Sequence, residues 1–203
     1  VVPLVEDNPP EAPAPEVCMN CVDAPFPVWR LDDYQPLSCG FQQNYGLDSF
    51  QGQATLVALF YAGCPYCQSQ AQQLERMRIE LGLRGHEAQM VAVGNVRGLD
   101  YQDRLIDRCS FPLFQDIDET PDDDISNNSA MEAMDGAVYD IYVYRPDGHL
   151  HVFFSGRGEI DTYLSEEAGY ENVKAAILAA IANEPYEVPF PPEDPMNDPG
   201  GDD

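Results

Sequence analysis

Cys64-Pro-Tyr-Cys67 is the stretch whose residue types and spacing carry the most specific chemistry in the chain. If such a pair opens a helix, its first cysteine lies among unpaired N–H groups at the positive end of the helix dipole. Those groups favour thiolate over thiol and lower the pKa from about 8.5 by one to several units. Cys64 is therefore the expected nucleophile. The second cysteine, one turn on and on the apolar face, is sheltered yet close enough to attack a mixed disulfide formed by the first, so Cys67 is the expected resolving thiol. Around them, Gly63 removes side-chain bulk, Pro65 suits a first helical turn that needs no N–H, and Tyr61 and Tyr66 shape the approach. Were the substrate a peroxide, Tyr66, Gln68 and Asn95 are the candidate donors to its leaving oxygen. The same spacing also suits an inert structural bridge. A metal site would share it too, but zinc asks for four ligands, and no second Cys/His pair lies nearby at helical or knuckle spacing. Neither a metal nor a cofactor is expected.

The elements that must position this pair can be read on either side of it. Ala54 to Tyr61 is a continuous apolar run, too short for a typical helix and rich in strand formers, which predicts a parallel strand buried on both faces. Beyond the motif, Cys67, Ala71, Leu74 and Leu81 fall on one arc at helical spacing, predicting a helix over 68–81 that Gly82 and Gly85 stop. Ala88 to Gly94 reads as a second buried strand and Asp100 to Cys109 as a short helix. Val138 to Tyr144 and His149 to Ser155 flank Arg145-Pro-Asp-Gly148, a turn sequence that predicts an antiparallel hairpin. Glu171 to Ala182 reads as a last helix. The fold class is α/β, with a mixed central sheet flanked by helices. Before it, residues 26–50 read as an irregular or hairpin segment carrying Trp29. Asp116 to Gly136 reads as an acidic surface insertion with a short helix near Ala130.

The 203 residues make one domain with a substantial core, and 36 acidic against 10 basic side chains leave a formal charge of −26. With Lys174 its single lysine, the chain is a poor partner for nucleic-acid phosphates or an anionic membrane surface. No apolar run reaches the roughly 20 residues needed to insert across a bilayer. The charge reads as a solubility device, and Asp116, Asp118 and Asp122 to Asp124 as a solvated loop, since they lack the glycine-punctuated spacing of a calcium loop. Eleven of the 18 prolines lie at the two ends, five in 1–17 and six in 184–203. These ends combine proline with acid and little aliphatic content, so they read as disordered tails around a domain spanning 18–183. The chain begins at Val1, and a processed or trimmed segment ahead of it is expected.

Four cysteines remain, Cys18, Cys21, Cys39 and Cys109, and in an oxidising compartment they can pair in three ways. Cys18-Met-Asn-Cys21 repeats the spacing of the first motif but follows a proline-rich tail rather than a buried strand. It reads as structural, or as part of a clip to Cys39 and Cys109; the alternatives are a relay to Cys64 and Cys67, or a metal site.

The run from Gln53 to Arg78, with Ala54-Thr-Leu-Val-Ala-Leu-Phe-Tyr61 leading into Cys64-Pro-Tyr-Cys67 and a Gln-Ala…Leu-Glu helix, resembles the thioredoxin-like superfamily. Within it the run is most similar to the N-terminal domain of selenoprotein P, in a bacterial-type form that carries cysteine. Met90-Val-Ala-Val-Gly-Asn95, Phe111-Pro-Leu-Phe-Gln115 and Asp140 to Leu150 extend the likeness over roughly 29–181. The resemblance implies a secreted or periplasmic thiol redox domain, with Cys64 at the family's selenocysteine position. Its partners would be a disulfide-bearing protein or peroxide and an external thiol reductant. Most thioredoxin-like proteins carry a cis-proline just before the hairpin strand; here that place falls near Tyr139 and Asp140, with no proline. A Cys-x-x-Cys plus a distant histidine is also the ligand set of copper-delivery proteins of this fold, which makes His149 and His151, alternating on one strand face, a copper alternative.

Overall fold

A computed structural model of the chain describes residues 18–118 and 129–192. Strands β1 (Leu31–Asp32) and β2 (Asn44–Tyr45) form a small antiparallel pair, followed by a 3-10 turn at Leu47–Phe50. Strand β3 (Ala54–Phe60) then runs through the cysteine motif into α1 (Pro65–Leu83) and β4 (Ala88–Gly94). A 3-10 segment at Val96–Tyr101 and the short α2 (Asp103–Ile106) lead to β5 (Leu113–Gln115) and α3 (Ser129–Ala133). The hairpin of β6 (Ile141–Tyr144) and β7 (Leu150–Phe154) and the helix α4 (Glu167–Ala182) complete the domain.

Five strands form one sheet in the order β5-β4-β3-β6-β7, with β3 parallel to β4, β4 parallel to β5, and the hairpin antiparallel to β3. The apolar run placed β3 at the centre because every one of its side chains must be buried, and all seven are. Leu56, Ala58 and Phe60 pack with Leu74, Met77, Val173 and Ile177 of α1 and α4. Val57 and Leu59 point the other way, into a second core with Trp29, Leu31, Phe114, Met131, Tyr142 and Tyr144. Full burial of each large side chain contributes roughly 1.5–3 kcal/mol, so the strand that carries the motif is among the most firmly held parts of the chain.

The helix after the motif runs through Gly82, expected as a stop, and ends at the next residue, Leu83. Gly85 takes a positive φ of 79°, the N–H of His86 donates to the carbonyl of Leu81, and that of Gly85 to Gly82. Several sequence expectations need correction. In place of one helix over 100–109 there are a 3-10 segment, whose Gly98 passes so close to Ala62 that a Cβ there would be 3.1 Å from its nitrogen, and a single turn of α2. Strand β5 escaped the reading because three residues following Pro112 carry no periodicity. Helix α4 starts four residues before the expected Glu171.

Asp116 does not belong to a solvated acidic loop. It is 2 % exposed, and its carboxylate accepts the N–H groups of Ile117, Ala130 and Met131, fastening α3 to the end of β5. Burial pushes its pKa up, against the pull of those N–H groups. Asp122 to Asp124 and residues 1–17 and 193–203 lie outside the described residues. Within 184–192, read in the sequence as the start of a tail, Tyr186 and Phe190 touch the domain: the N–H of Phe190 donates to Asn172 Oδ1 at 2.9 Å, and the ring of Tyr186 meets Phe154 edge-on.

Candidate active site

Cys64 is the N-cap of α1 because of the residue that follows it. A proline restricts its predecessor to extended backbone, and Cys64 has φ −90° and ψ 122°, the geometry an N-cap needs, while Pro65 occupies the first helical turn. The approach from β3 is equally fixed. The N–H of Cys64 donates to Tyr61 O at 2.9 Å, and Gln68 Nε2 donates to Ala62 O at 2.9 Å. A side chain at Gly63 would meet the Tyr61 ring at 2.6 Å, so glycine makes room for that ring.

The two sulfurs, one helical turn apart, receive opposite treatment. Cys64 is partly exposed and Cys67 fully buried in the core beneath α1, with the N–H of Tyr61 donating to its sulfur at 3.3 Å. Partial burial works against ionising Cys64, but the N–H of Cys67, the Tyr139 hydroxyl and the N–H of Tyr66 outweigh it, and its pKa falls below the usual thiol range. Burial pushes the Cys67 thiol up to about 12, with the nearby Cys64 charge adding to the rise. One thiol is prepared to be an anion and the other to stay protonated.

A cluster of tyrosine rings accompanies the motif, and one of them reaches the partly exposed sulfur. Tyr66 stacks on Tyr163 with ring centroids 5.3 Å apart and meets Tyr139 edge-on at 5.3 Å; Tyr61 meets Tyr101 edge-on. The Tyr139 hydroxyl is 3.6 Å from Cys64 Sγ. Sequence reasoning marked the place of Tyr139, counting back from Gly148, but only as a missing proline. All peptide bonds of the described residues are trans, and Tyr139 instead has a φ of 87°.

Of the three candidate peroxide donors, Tyr66 stands among the rings of the site, and the other two make contacts away from the sulfur. Gln68 is tied to Ala62 O, and Asn95, 9 % exposed, accepts the N–H of Arg97 and caps the 3-10 segment. Cys18 and Cys21 form a disulfide, while Cys39 is an exposed thiol and Cys109 a buried one. The clip of that motif to Cys39 and Cys109 is therefore not formed. Gln35 donates to the carbonyl of Cys109, whose thiol burial pushes up to about 12. The Cys18–Cys21 loop is tied to the second core: Tyr142 Oη donates to Asn20 Oδ1 at 2.8 Å, and Asn20 Nδ2 to the carbonyl of Asp135 at 2.7 Å. That places it against the core on the far side of the sheet from α1, and among the described residues it makes no contact with Cys64 or Cys67. On the hairpin, His149 faces Asp147, and among the described residues no three His, Cys, Asp or Glu side chains gather as a metal site.

No protein-family model matches the chain, and no curated protein does. Solved structures do. A thiol:disulfide interchange protein, DsbE, of Chlorobium tepidum is similar at 15% identity and a TM-score of 0.59, over 79% of this chain and 97% of that one. DsbF of Mycobacterium tuberculosis is similar at 11% identity and a TM-score of 0.53, over 75% of this chain and 95% of the other. A secreted M. tuberculosis disulfide oxidoreductase homologous to E. coli DsbE is similar at 11% identity and 0.52, over 74% and 95%. At these identities the likeness concerns architecture, and on that ground the mixed five-stranded sheet with its flanking helices is a thioredoxin-like fold.

Proposed function

We propose that the chain is an extracytoplasmic thiol redox protein that exchanges disulfides through Cys64 and Cys67. The observation that carries this reading is the opposite treatment of two thiols within one helical turn: Cys64 is open and favoured as a thiolate, Cys67 buried and held as a thiol. A structural bridge needs no such asymmetry. In the reducing direction, Cys64 Sγ attacks one sulfur of a substrate disulfide. The new S–S bond forms as the old one breaks, and the distal substrate sulfur leaves with the electron pair. Cys67 then loses its proton to water and attacks Cys64 Sγ, which releases the second substrate thiolate and closes the Cys64–Cys67 disulfide. An external thiol reductant restores the dithiol, and run backwards the same steps oxidise a substrate dithiol.

Three further observations support the reading. The similar structures include proteins named for thiol:disulfide interchange and disulfide oxidation. The Cys18–Cys21 disulfide suits a secreted or periplasmic location, because cytosolic thiols are kept reduced. Gln68, one of the candidate donors to a peroxide, already donates to Ala62 O, which favours a disulfide-bearing protein over a peroxide as substrate. Within the thioredoxin-like fold, the sequence likeness over roughly 29–181 supports a selenoprotein P-like assignment, with Cys64 in the selenocysteine position.

The test is a redox titration of the pair in glutathione buffers, read by alkylation and mass spectrometry. A potential between about −120 and −270 mV, with a substrate trapped on Cys64 by Cys67→Ser, is the expected result. A pair that stays oxidised below about −300 mV would identify a structural bridge instead.

A further inference from the structure

Tyr139 stands out from the rest of the site by its backbone. A φ of 87° is costly for any side chain but glycine's, at about 1–3 kcal/mol, and persists only where the surroundings impose it. Here they do. The N–H of Tyr139 donates to Leu59 O at 2.8 Å, and the N–H of Leu59 to Asp140 O at 3.0 Å, so the residue is stitched to the end of β3. The buried Asp140 carboxylate accepts the N–H groups of Ala137 and Gly156, each at 2.8 Å, and closes the turn from both sides. Gly156 presses on it from the hairpin, where a Cβ would lie 2.8 Å from the Tyr139 carbonyl carbon. The product of this strain is one placement: a hydroxyl 3.6 Å from Cys64 Sγ, with its ring edge-on to Tyr66.

Resting on the redox reading above, we infer that Tyr139 is a further catalytic residue, whose hydroxyl donates a hydrogen bond to the Cys64 thiolate and then to the thiolate that leaves it. A hydrogen bond to an ionised acceptor is roughly twice as strong as one between neutral groups, so the donor acts on the anion far more than on the thiol. It keeps its proton throughout. Once Cys64 has formed the mixed disulfide, the substrate sulfur bonded to Sγ stands beside the same hydroxyl. As Cys67 attacks Sγ and that sulfur departs with the electron pair, Tyr139 donates to it, and water supplies the proton that neutralises the product. The tyrosine's own pKa is raised to about 12, first by the Cys64 sulfur it faces, consistent with a hydroxyl that stays protonated. A glycine in its place would suit the backbone better, but it would supply neither the ring that packs against Tyr66 nor the hydroxyl that faces Cys64 Sγ.

The test is the pH dependence of alkylation at Cys64 in the reduced full chain, resolved by mass spectrometry with Cys39 as internal reference. Tyr139→Phe keeps the ring and loses the hydroxyl; Tyr139→Gly loses both and relieves the backbone, so one of the two remains folded. In either, the Cys64 midpoint is expected to rise by about one pH unit, a tenfold fall in thiolate at any pH below both midpoints. An unchanged midpoint in the folded variant overturns the assignment. The redox titration of the parent separates the two readings. A pair that cycles while the midpoints stay put removes Tyr139 and keeps the function. Midpoints that move in a chain whose pair never cycles keep the Tyr139–thiolate contact and remove the function.

Discussion

Two Cys-x-x-Cys motifs lie in one chain and meet opposite ends. Cys18-Met-Asn-Cys21 sits on a turn and is closed as a disulfide; Cys64-Pro-Tyr-Cys67 opens a 19-residue helix and holds two thiols. Spacing is common to both, so spacing does not make the difference. What the second motif has is a strand buried on both faces that delivers it, a proline that forces its first cysteine into N-cap geometry, and a helix that carries its second cysteine into the core. Among the described residues, the first motif has a turn in which the N–H of Cys21 donates to the carbonyl of Cys18 and that of Ala24 to Cys21, with the Asn20 side chain tying it to Asp135 and Tyr142. Reactivity comes from the unequal environments of the two sulfurs, and only an element with an end and a buried face supplies them.

The widest break in that comparison comes from replacing the cysteines of each motif. Cys64→Ser is expected to abolish disulfide exchange with a model protein substrate, whereas Cys18→Ser with Cys21→Ser retains it within about twofold, measured by the rate of insulin reduction. Equal losses in both would mean that the first motif is a relay after all. Next in size is Gly156→Ala. A methyl group there overlaps Tyr139 and its backbone, so the fold is expected to lose about 1–3 kcal/mol and Cys64 its hydroxyl donor, with Cys18–Cys21 unaffected. Denaturant unfolding reports the first loss and the Cys64 alkylation midpoint the second. Smaller again is the cost of opening the Cys18–Cys21 bridge. A loop this short removes little chain entropy, and the double serine variant is expected to lose about 2 kcal/mol at most by urea unfolding.

How much of this was legible in the sequence depends on how local its cause is. The apolar run of β3, the proline and cysteines of the motif, the glycine that ends α1 and the Pro-Asp-Gly turn all act within a few residues, and each marked its element. Strand β5 is held by partners distant in the sequence, pairing with β4 on one side and bridging to Asp33 through Phe114 on the other. Asp116 gave no sign of burial because the N–H groups it accepts belong to Ala130 and Met131, which the fold brings to it. Tyr139 is the clearest case. Its position could be counted from Gly148, but the sign of its φ is imposed by Leu59, Asp140 and Gly156, two of them distant in the chain. A tyrosine followed by aspartate at the mouth of a hairpin carries no signal that its hydroxyl faces a sulfur.

The smallest expected effect is a dependence of stability on pH, and it separates the motifs most cleanly. Cys18 and Cys21 are bonded and do not titrate. Cys64 has a folded pKa below its unfolded value near 8.5, so its contribution to stability is full above that value and is lost as pH falls through the folded pKa. Cys67 does the reverse. Its thiol stays neutral in the fold up to about 12 while the unfolded chain ionises it near 8.5, so stability declines as pH rises above that point. The buried Cys109 behaves as Cys67 does, but in both redox states. Melting temperatures of the reduced chain, taken relative to the form with Cys64 and Cys67 joined, are therefore expected to climb toward pH 8.5 and fall beyond it. Cys64→Ser, taken relative to the variant with both Cys64→Ser and Cys67→Ser, should lack the climb and keep the fall. A flat difference across that range would mean that the two sulfurs feel the same surroundings, and the asymmetry on which the redox reading stands would be gone.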